Sequence, residues 1–414
     1  MAQGLLWQKD GPIIRRIDEN DVYKILMMYL IWREFPNLDV KFGFKNRTAA
    51  VSLAEYIDLG ELSEQIKATA KLKFTDEVIA VYRGWDMFPE EFLDDLQALS
   101  LVEPKFGIRD GQFFVETDGN WFQDTMWETF VLPIVSELYG RGRARADGIS
   151  EEALFAEADK LLTQKIAYFK HFPDLLIAQF GLRRRFSALW EDHVTERLLT
   201  ETNVITGVSN MFLADKNGVP AQGTNAHELP MAIVALSSHR SPEAMRRAVY
   251  LVLELWQKLY SHKSLIMLDD AYGSDVFRRD LPREYLESFK GFRHDSGDPF
   301  AYGEAVIALY QRYGVNPKRK MIIFSDGLKP ELVVKLYKHF NGRIIVAFGM
   351  GTNLTNDMGL VKPLSLVMKI IEAAGKPAVK LSNNLNKATG PSEAIEYYKE
   401  VFGYTNTARE SVVY

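Results

Sequence analysis

From about residue 175 onward the chain repeats one pattern: a short apolar run, a break into polar or glycine residues, then an amphipathic helical stretch. Residues 175–180 lead into Gly181-Leu182-Arg183-Arg184-Arg185, and residues 203–206 into Gly207-Val208-Ser209-Asn210. Residues 265–268 lead into Asp269-Asp270, and residues 289–292 into Arg293-His294-Asp295-Ser296-Gly297-Asp298. Residues 320–324 lead into Ser325-Asp326-Gly327, with Pro330 near the next helix start; residues 343–348 lead into Gly349-Met350-Gly351-Thr352, and residues 378–381 into Ser382-Asn383. Strands that alternate with helices form parallel βα units, because a parallel strand requires a crossover before the next one. About seven units in ~210 residues suit a barrel better than an open sheet. Barrels of this kind do their chemistry at the C-terminal ends of the strands, where the Arg, Asp, Ser and Gly residues fall. That clustering points to an enzyme.

The first third reads differently. Residues 21–32 form an apolar helix, residues 38–44 alternate like a strand, and residues 105–118 carry Asp110-Gly111 between two alternating runs, a hairpin signal. The expected organisation is therefore an α+β domain over residues 1–130, a parallel α/β barrel over 131–385 and a helical extension over 386–414. Residues 140–147 (GRGRARAD) read as a loop or frayed helix end with solvated charges.

Composition narrows the function classes. A net charge of −5 with no basic tail weighs against nucleic acid as partner, since such proteins use a basic stripe to displace counterions. The absence of cysteine removes disulfides, thiolate metal sites and cysteine nucleophiles, and fits a cytoplasmic setting. The first residues lack a signal-peptide core, and the longest apolar stretch, residues 248–256, is far below the ~20 residues of a membrane span. It reads as a buried helix.

Five segments carry candidate chemistry. Gly349-Met350-Gly351-Thr352 would let backbone amides approach a phosphate, although a plain tight turn shares these letters. Arg293-His294-Asp295-Ser296-Gly297-Asp298-Pro299 suits a sugar phosphate, with Arg for phosphate oxygens and Asp for ribose hydroxyls; a solvated loop is the alternative. Gly223-Thr224-Asn225-Ala226-His227-Glu228 sets a histidine beside a carboxylate at a helix start. The other six histidines, His171, His193, His239, His262, His294 and His339, show no metal-ligand spacing. Phe180-Gly181-Leu182-Arg183-Arg184-Arg185-Phe186 would suit a flat anionic ring, or reads as a core Phe before surface arginines. Asp269-Asp270 is either a metal or hydroxyl site or a pair of polar strand-end residues.

Taken together these segments resemble the bacterial nicotinate phosphoribosyltransferases, type II phosphoribosyltransferases, from Asp21-Val22-Tyr23-Lys24 to the last helix. The match continues through Gly207 with Ser209-Asn210, Phe324-Ser325-Asp326, Val361-Lys362-Pro363-Leu364 and Gly375-Lys376-Pro377 with Lys380-Leu381-Ser382. The resemblance implies an N-terminal α/β sandwich, an irregular TIM-like barrel, and a homodimer with shared active sites. It implies that ATP phosphorylates His227, with Arg293 and Asp295 as its catalytic companions. Tyr23, often from the partner subunit, and Phe180 would sandwich the pyridine ring. Arg183, Arg293 and Asp295 would hold pyrophosphate and ribose, Thr224 would lie near nicotinate, and Gly349, Gly351 and Thr352 would cradle the 5′-phosphate. Asp326 joins them as a substrate-binding residue, with Mg²⁺ as the metal, its ligands unassigned. The chain departs from the family's pattern at Glu19, Leu182, Val208 and Asn353, where Asp, Thr, Thr and Arg are frequent, and its tail from Asn383 diverges.

The implied reaction joins nicotinate to the ribose of phosphoribosyl pyrophosphate, giving nicotinate mononucleotide and pyrophosphate while ATP becomes ADP and phosphate. The competing readings are a nicotinamide-specific relative, a decarboxylating quinolinate enzyme, a non-catalytic phosphate-ligand barrel, and a sugar-phosphate aldolase or isomerase.

Overall fold

A computed structural model describes residues 4–8, 10–109, 111–260 and 265–409. The first alternating run becomes strand β1 (Asp39–Asn46), and the hairpin becomes β2 (Lys105–Arg109) and β3 (Gln112–Asn120). Asp110 of the hairpin turn lies outside the described residues. Six of the seven later runs become the parallel strands β4 (Ile177–Gln179), β5 (Ile205–Val208), β6 (Ile266–Leu268), β7 (Gly291–His294), β8 (Met321–Phe324) and β9 (Ile345–Met350). They form one sheet in the order β5-β4-β9-β8-β7-β6. Beyond β5 the chain turns through helix Met211–Lys216 and comes back beside the strand, where Val208 and Ala221 form a parallel bridge before the turn that carries His227.

The seventh run does not join this sheet. Residues 378–381 are buried, but their polar backbone is satisfied elsewhere: Lys380 bridges Thr389, and the Leu381 amide donates to the Ala271 carbonyl. Just before it lie β10 (Leu366–Ala373) and β11 (Lys376–Pro377), which pair in the order β11-β10-β1-β3-β2 and complete the antiparallel sheet. That sheet therefore takes two strands from a stretch that sequence reading placed inside the barrel. Alternation identifies a strand but not its sheet.

Residues 140–147 are not a loop. Helix Trp127–Ala146 runs through nearly all of them, because its glycines serve close packing. A Cβ on Gly140 would stand 2.5 Å from the Phe186 ring, and one on Gly142 would stand 1.9 Å from the Tyr56 carbonyl oxygen. The charges are partly engaged: Arg141 pairs with Glu137, and Arg143 Nε donates to Asp147 at 2.7 Å. The stretch at 248–256 lies in helix Pro242–Leu259, started by Ser241 and a first-turn proline, with one face buried. Helices Trp127–Ala146 and Glu228–Ser237 pack on β10, so both sheets share one apolar core. Among the described residues, no helix is long and apolar enough to cross a membrane.

Candidate functional site

The C-terminal ends of β4, β7, β8 and β9 open onto one pocket. At the end of β4 the buried Gln179 side chain accepts the Gly181 amide at 2.6 Å, and the Phe180 amide donates to Met350 at the end of β9. Phe180 is thereby laid across the strand ends. Gly349 makes room for it, since a Cβ there would sit 2.5 Å from the Phe180 ring. A single turn, Leu182–Arg184, then aims Arg183 at the pocket, its guanidinium 5.5 Å from the Tyr23 ring.

The two following arginines are not surface groups. Arg184 lines the pocket and donates to the Leu366 carbonyl, while Arg185 is 1 % exposed and bridges Glu19 at 2.7 Å and Glu191 at 3.0 Å. A buried guanidinium needs anionic partners close by, and here one, Glu191, is six residues on while the other, Glu19, comes from the start of the chain.

At the end of β7, Arg293 is held on every side. Its nitrogens donate to Ser325 at 2.9 Å, Thr224 at 2.9 Å and Asp295 at 2.9 Å. Thr224 is buried behind Arg293 rather than on the pocket wall; Arg293, Asp295, Asp326, Gly349, Gly351 and Thr352 all line it. Asp298 serves as cap of helix Pro299–Arg312, accepting the Ala301 amide at 2.6 Å. The helix after Gly351 is one turn, Thr352–Thr355, and Lys165 holds its backbone by donating to the Asn353 carbonyl at 2.8 Å.

His227 stands immediately before helix Glu228–Ser237, with Nε2 2.5 Å from Asp270 and Nδ1 3.8 Å from Asp295. The adjacent acids at the end of β6 have different tasks. Asp269 is buried against Arg278, Tyr302 and Ser274, whereas Asp270 accepts from His227, from Ser296 at 2.6 Å and from Lys380 at 3.3 Å. Burial alone would raise the Asp270 pKa, but Lys380 and His227 outweigh it and hold the carboxyl well below its usual range. Burial, then Lys380, lowers the His227 pKa. An ionised Asp270 accepts hydrogen bonds only, so Nε2 carries the proton and a neutral His227 keeps the Nδ1 lone pair on the pocket side. Asp295 is likewise kept ionised: burial opposes it, and the neighbouring Arg293 guanidinium is the leading influence that prevails.

Several pocket residues escaped the sequence reading. Glu128, from helix Trp127–Ala146, accepts Lys369 of β10 at 2.9 Å and Arg183 at 3.4 Å. Lys387 donates to Asp326 at 2.6 Å and to the Asp295 carbonyl at 3.0 Å, and Arg47 follows β1. None stands at the end of a parallel strand. Cations outnumber acids along this wall, so it suits a ligand carrying several negative charges. Tyr23 lines the same pocket as Phe180. His262 lies outside the described residues.

Two family models match the chain: the nicotinate phosphoribosyltransferase N-terminal domain over residues 19–136, and the nicotinate phosphoribosyltransferase family over residues 175–406. Among solved structures, nicotinate phosphoribosyltransferase from Porphyromonas gingivalis is similar at 31% identity and a TM-score of 0.84, covering 94% of this chain and 100% of that one. The Vibrio cholerae nicotinate phosphoribosyltransferase is similar at 29% identity and a TM-score of 0.85, covering 97% of this chain and 96% of that one. The strand-end pocket and these matches lead to one conclusion: the chain belongs to the nicotinate phosphoribosyltransferase family.

Proposed function

We propose that the chain makes nicotinate mononucleotide from nicotinate and 5-phosphoribosyl 1-pyrophosphate, releasing pyrophosphate, and that ATP assists through a phosphorylated His227. The observation that carries this reading is one pocket holding two aromatic rings, a glycine turn, an excess of cations and a histidine held through Nε2 by Asp270. The setting is NAD salvage in the cytoplasm.

In this reading the nicotinate ring nitrogen attacks the ribose anomeric carbon, and the bond to pyrophosphate breaks with its electron pair leaving on oxygen. The nitrogen has no proton to lose, so no general base is required. Tyr23 and Phe180 orient the ring. Arg183 and Arg293, fixed before the ligand arrives, stabilise charge gathering on the leaving group. Ionised Asp295 offers acceptors for ribose hydroxyls. In the ATP step the Nδ1 lone pair attacks the γ-phosphorus, ADP departs, and water later removes the phosphoryl group as phosphate.

Mg²⁺ favours oxygen donors together with ligand phosphates. His227, Asp270 and Asp295 each place one donor atom within 4.8 Å of the others, but Asp270 is already committed to Lys380, His227 and Ser296. Asp295 therefore suits the role best; when bound there with ligand, Mg²⁺ would neutralise pyrophosphate charge.

The test is product analysis with nicotinate, phosphoribosyl pyrophosphate and Mg²⁺, with and without ATP, and with nicotinamide in parallel. Nicotinate mononucleotide should form and ATP should increase it. Equal use of nicotinamide, or no mononucleotide, would overturn the reading.

A further inference from the structure

We propose that Lys24 and Glu228 are positioning residues that carry the phosphorylation state of His227 to the Tyr23 side of the pocket. The inference rests on the phosphohistidine reading above and extends it to residues that touch no reacting atom.

The geometry pairs neighbours in sequence. Lys24 follows Tyr23, Glu228 follows His227, and the two are joined by an ion pair with Nζ 2.5 Å from Oε2. Lys24 is 0 % exposed and Glu228 3 % exposed. The second Glu228 oxygen accepts from Trp121 Nε1 at 2.6 Å and Thr125 Oγ1 at 2.6 Å. Lys24 also meets Glu128 at 3.0 Å, and Glu128 reaches the pocket through Lys369 at 2.9 Å, Arg183 at 3.4 Å and the Tyr23 hydroxyl at 3.5 Å. A continuous buried ion network thus runs from the residue after His227 to the residues facing Tyr23.

Buried charge networks are weak sources of stability, and apolar replacements of similar volume often do as well. Nothing in the bond-making chemistry uses Lys24 or Glu228. A phosphoryl group on Nδ1 would place roughly two negative charges just before helix Glu228–Ser237, on the residue that precedes Glu228 in the backbone. That group draws on the free amides of the first turn, which also carries Glu228. The turn's position and with it the Lys24 pair therefore respond, and Lys24 is one residue from Tyr23. The first turn of the helix is the element that responds.

The experiment measures two quantities on the full chain: label incorporated at His227 from γ-labelled ATP, and the ATP-dependent fall in the KM for nicotinate. The variants are Glu228→Gln, which leaves Lys24 paired with Glu128, and the double variant Lys24→Met/Glu228→Gln, which removes the pair without stranding a charge. Label should still appear at His227 in both variants, while the KM response shrinks by about tenfold, the range of a typical coupling between sites. A labelled, responsive parent whose Glu228→Gln variant responds equally overturns the network alone. If the double variant fails to fold, Glu228→Gln decides. A parent with neither label nor ATP response overturns the phosphohistidine reading, and this inference with it.

Discussion

Burial discourages a second proton on the His227 ring, Lys380 adds to that effect, and Asp270 opposes it while accepting a hydrogen bond from Nε2. Asp270→Asn removes the charge that selects this tautomer. Labelling of His227 from ATP should then slow by roughly a hundredfold or more, the usual worth of a positioned proton partner. Rapid-quench labelling checks this, and a parental rate would refute the assignment. Lys369 provides a second test at this scale. Burial lowers its pKa, Glu128 opposes that, and the balance leaves the ammonium at about 8. Below that pH the group is cationic and helps hold an anion; as pH rises through it, the charge and that help are lost. Affinity for sulfate, which does not titrate in this range, should be flat below about 8 and fall above it by up to about tenfold per pH unit. Lys369→Met should flatten the slope, measured by titration calorimetry. Arg293 and Asp295 were legible because they stand at the end of an apolar run, and His227 because it opens a helix beside Glu228 after a glycine-containing approach. Lys369 sits within a strand and Glu128 within a helix, so no local signal marked either.

Among elements, the parallel strands were the most legible, because each needs a nearly continuous apolar run. Which runs share a sheet was not legible, since residues 378–381 satisfy their backbone in loops while β10 crosses to the antiparallel sheet. Glycine misled in the opposite sense within helix Trp127–Ala146, where it marks close packing rather than an end. The same reasoning makes Gly349 a test of how β9 seats Phe180. In Gly349→Ala the new methyl would overlap the Phe180 ring, 2.5 Å away. The ring must tilt out of its place, at a stability cost of about 1–3 kcal/mol for overpacking. The KM for nicotinate should rise more than the KM for phosphoribosyl pyrophosphate. An equal change in both would mean that Phe180 does not seat the ring.

For the whole molecule, the consequence lies in the pairing of β1 with β10. The antiparallel sheet joins residues 39–120 to residues 366–377, so the first domain is not finished until most of the chain has been made. The family model for the N-terminal domain ends at residue 136, ahead of both late strands. A fragment stopping there keeps β1, β2 and β3 but leaves β1 as an edge, with Val40 and Phe42 deprived of the core that Met368 and Ile370 help to build. An open, apolar edge strand is a template for association. The fragment should therefore elute as aggregate and show no cooperative thermal transition by circular dichroism, while the full chain melts cooperatively. The pocket obeys the same dependence, since Tyr23 and Glu128 come from the early segment and Lys369 from the late one. A fragment that is monomeric and melts sharply would show that the early segment folds without its late strands, and that the pocket wall is assembled by docking rather than by shared pairing.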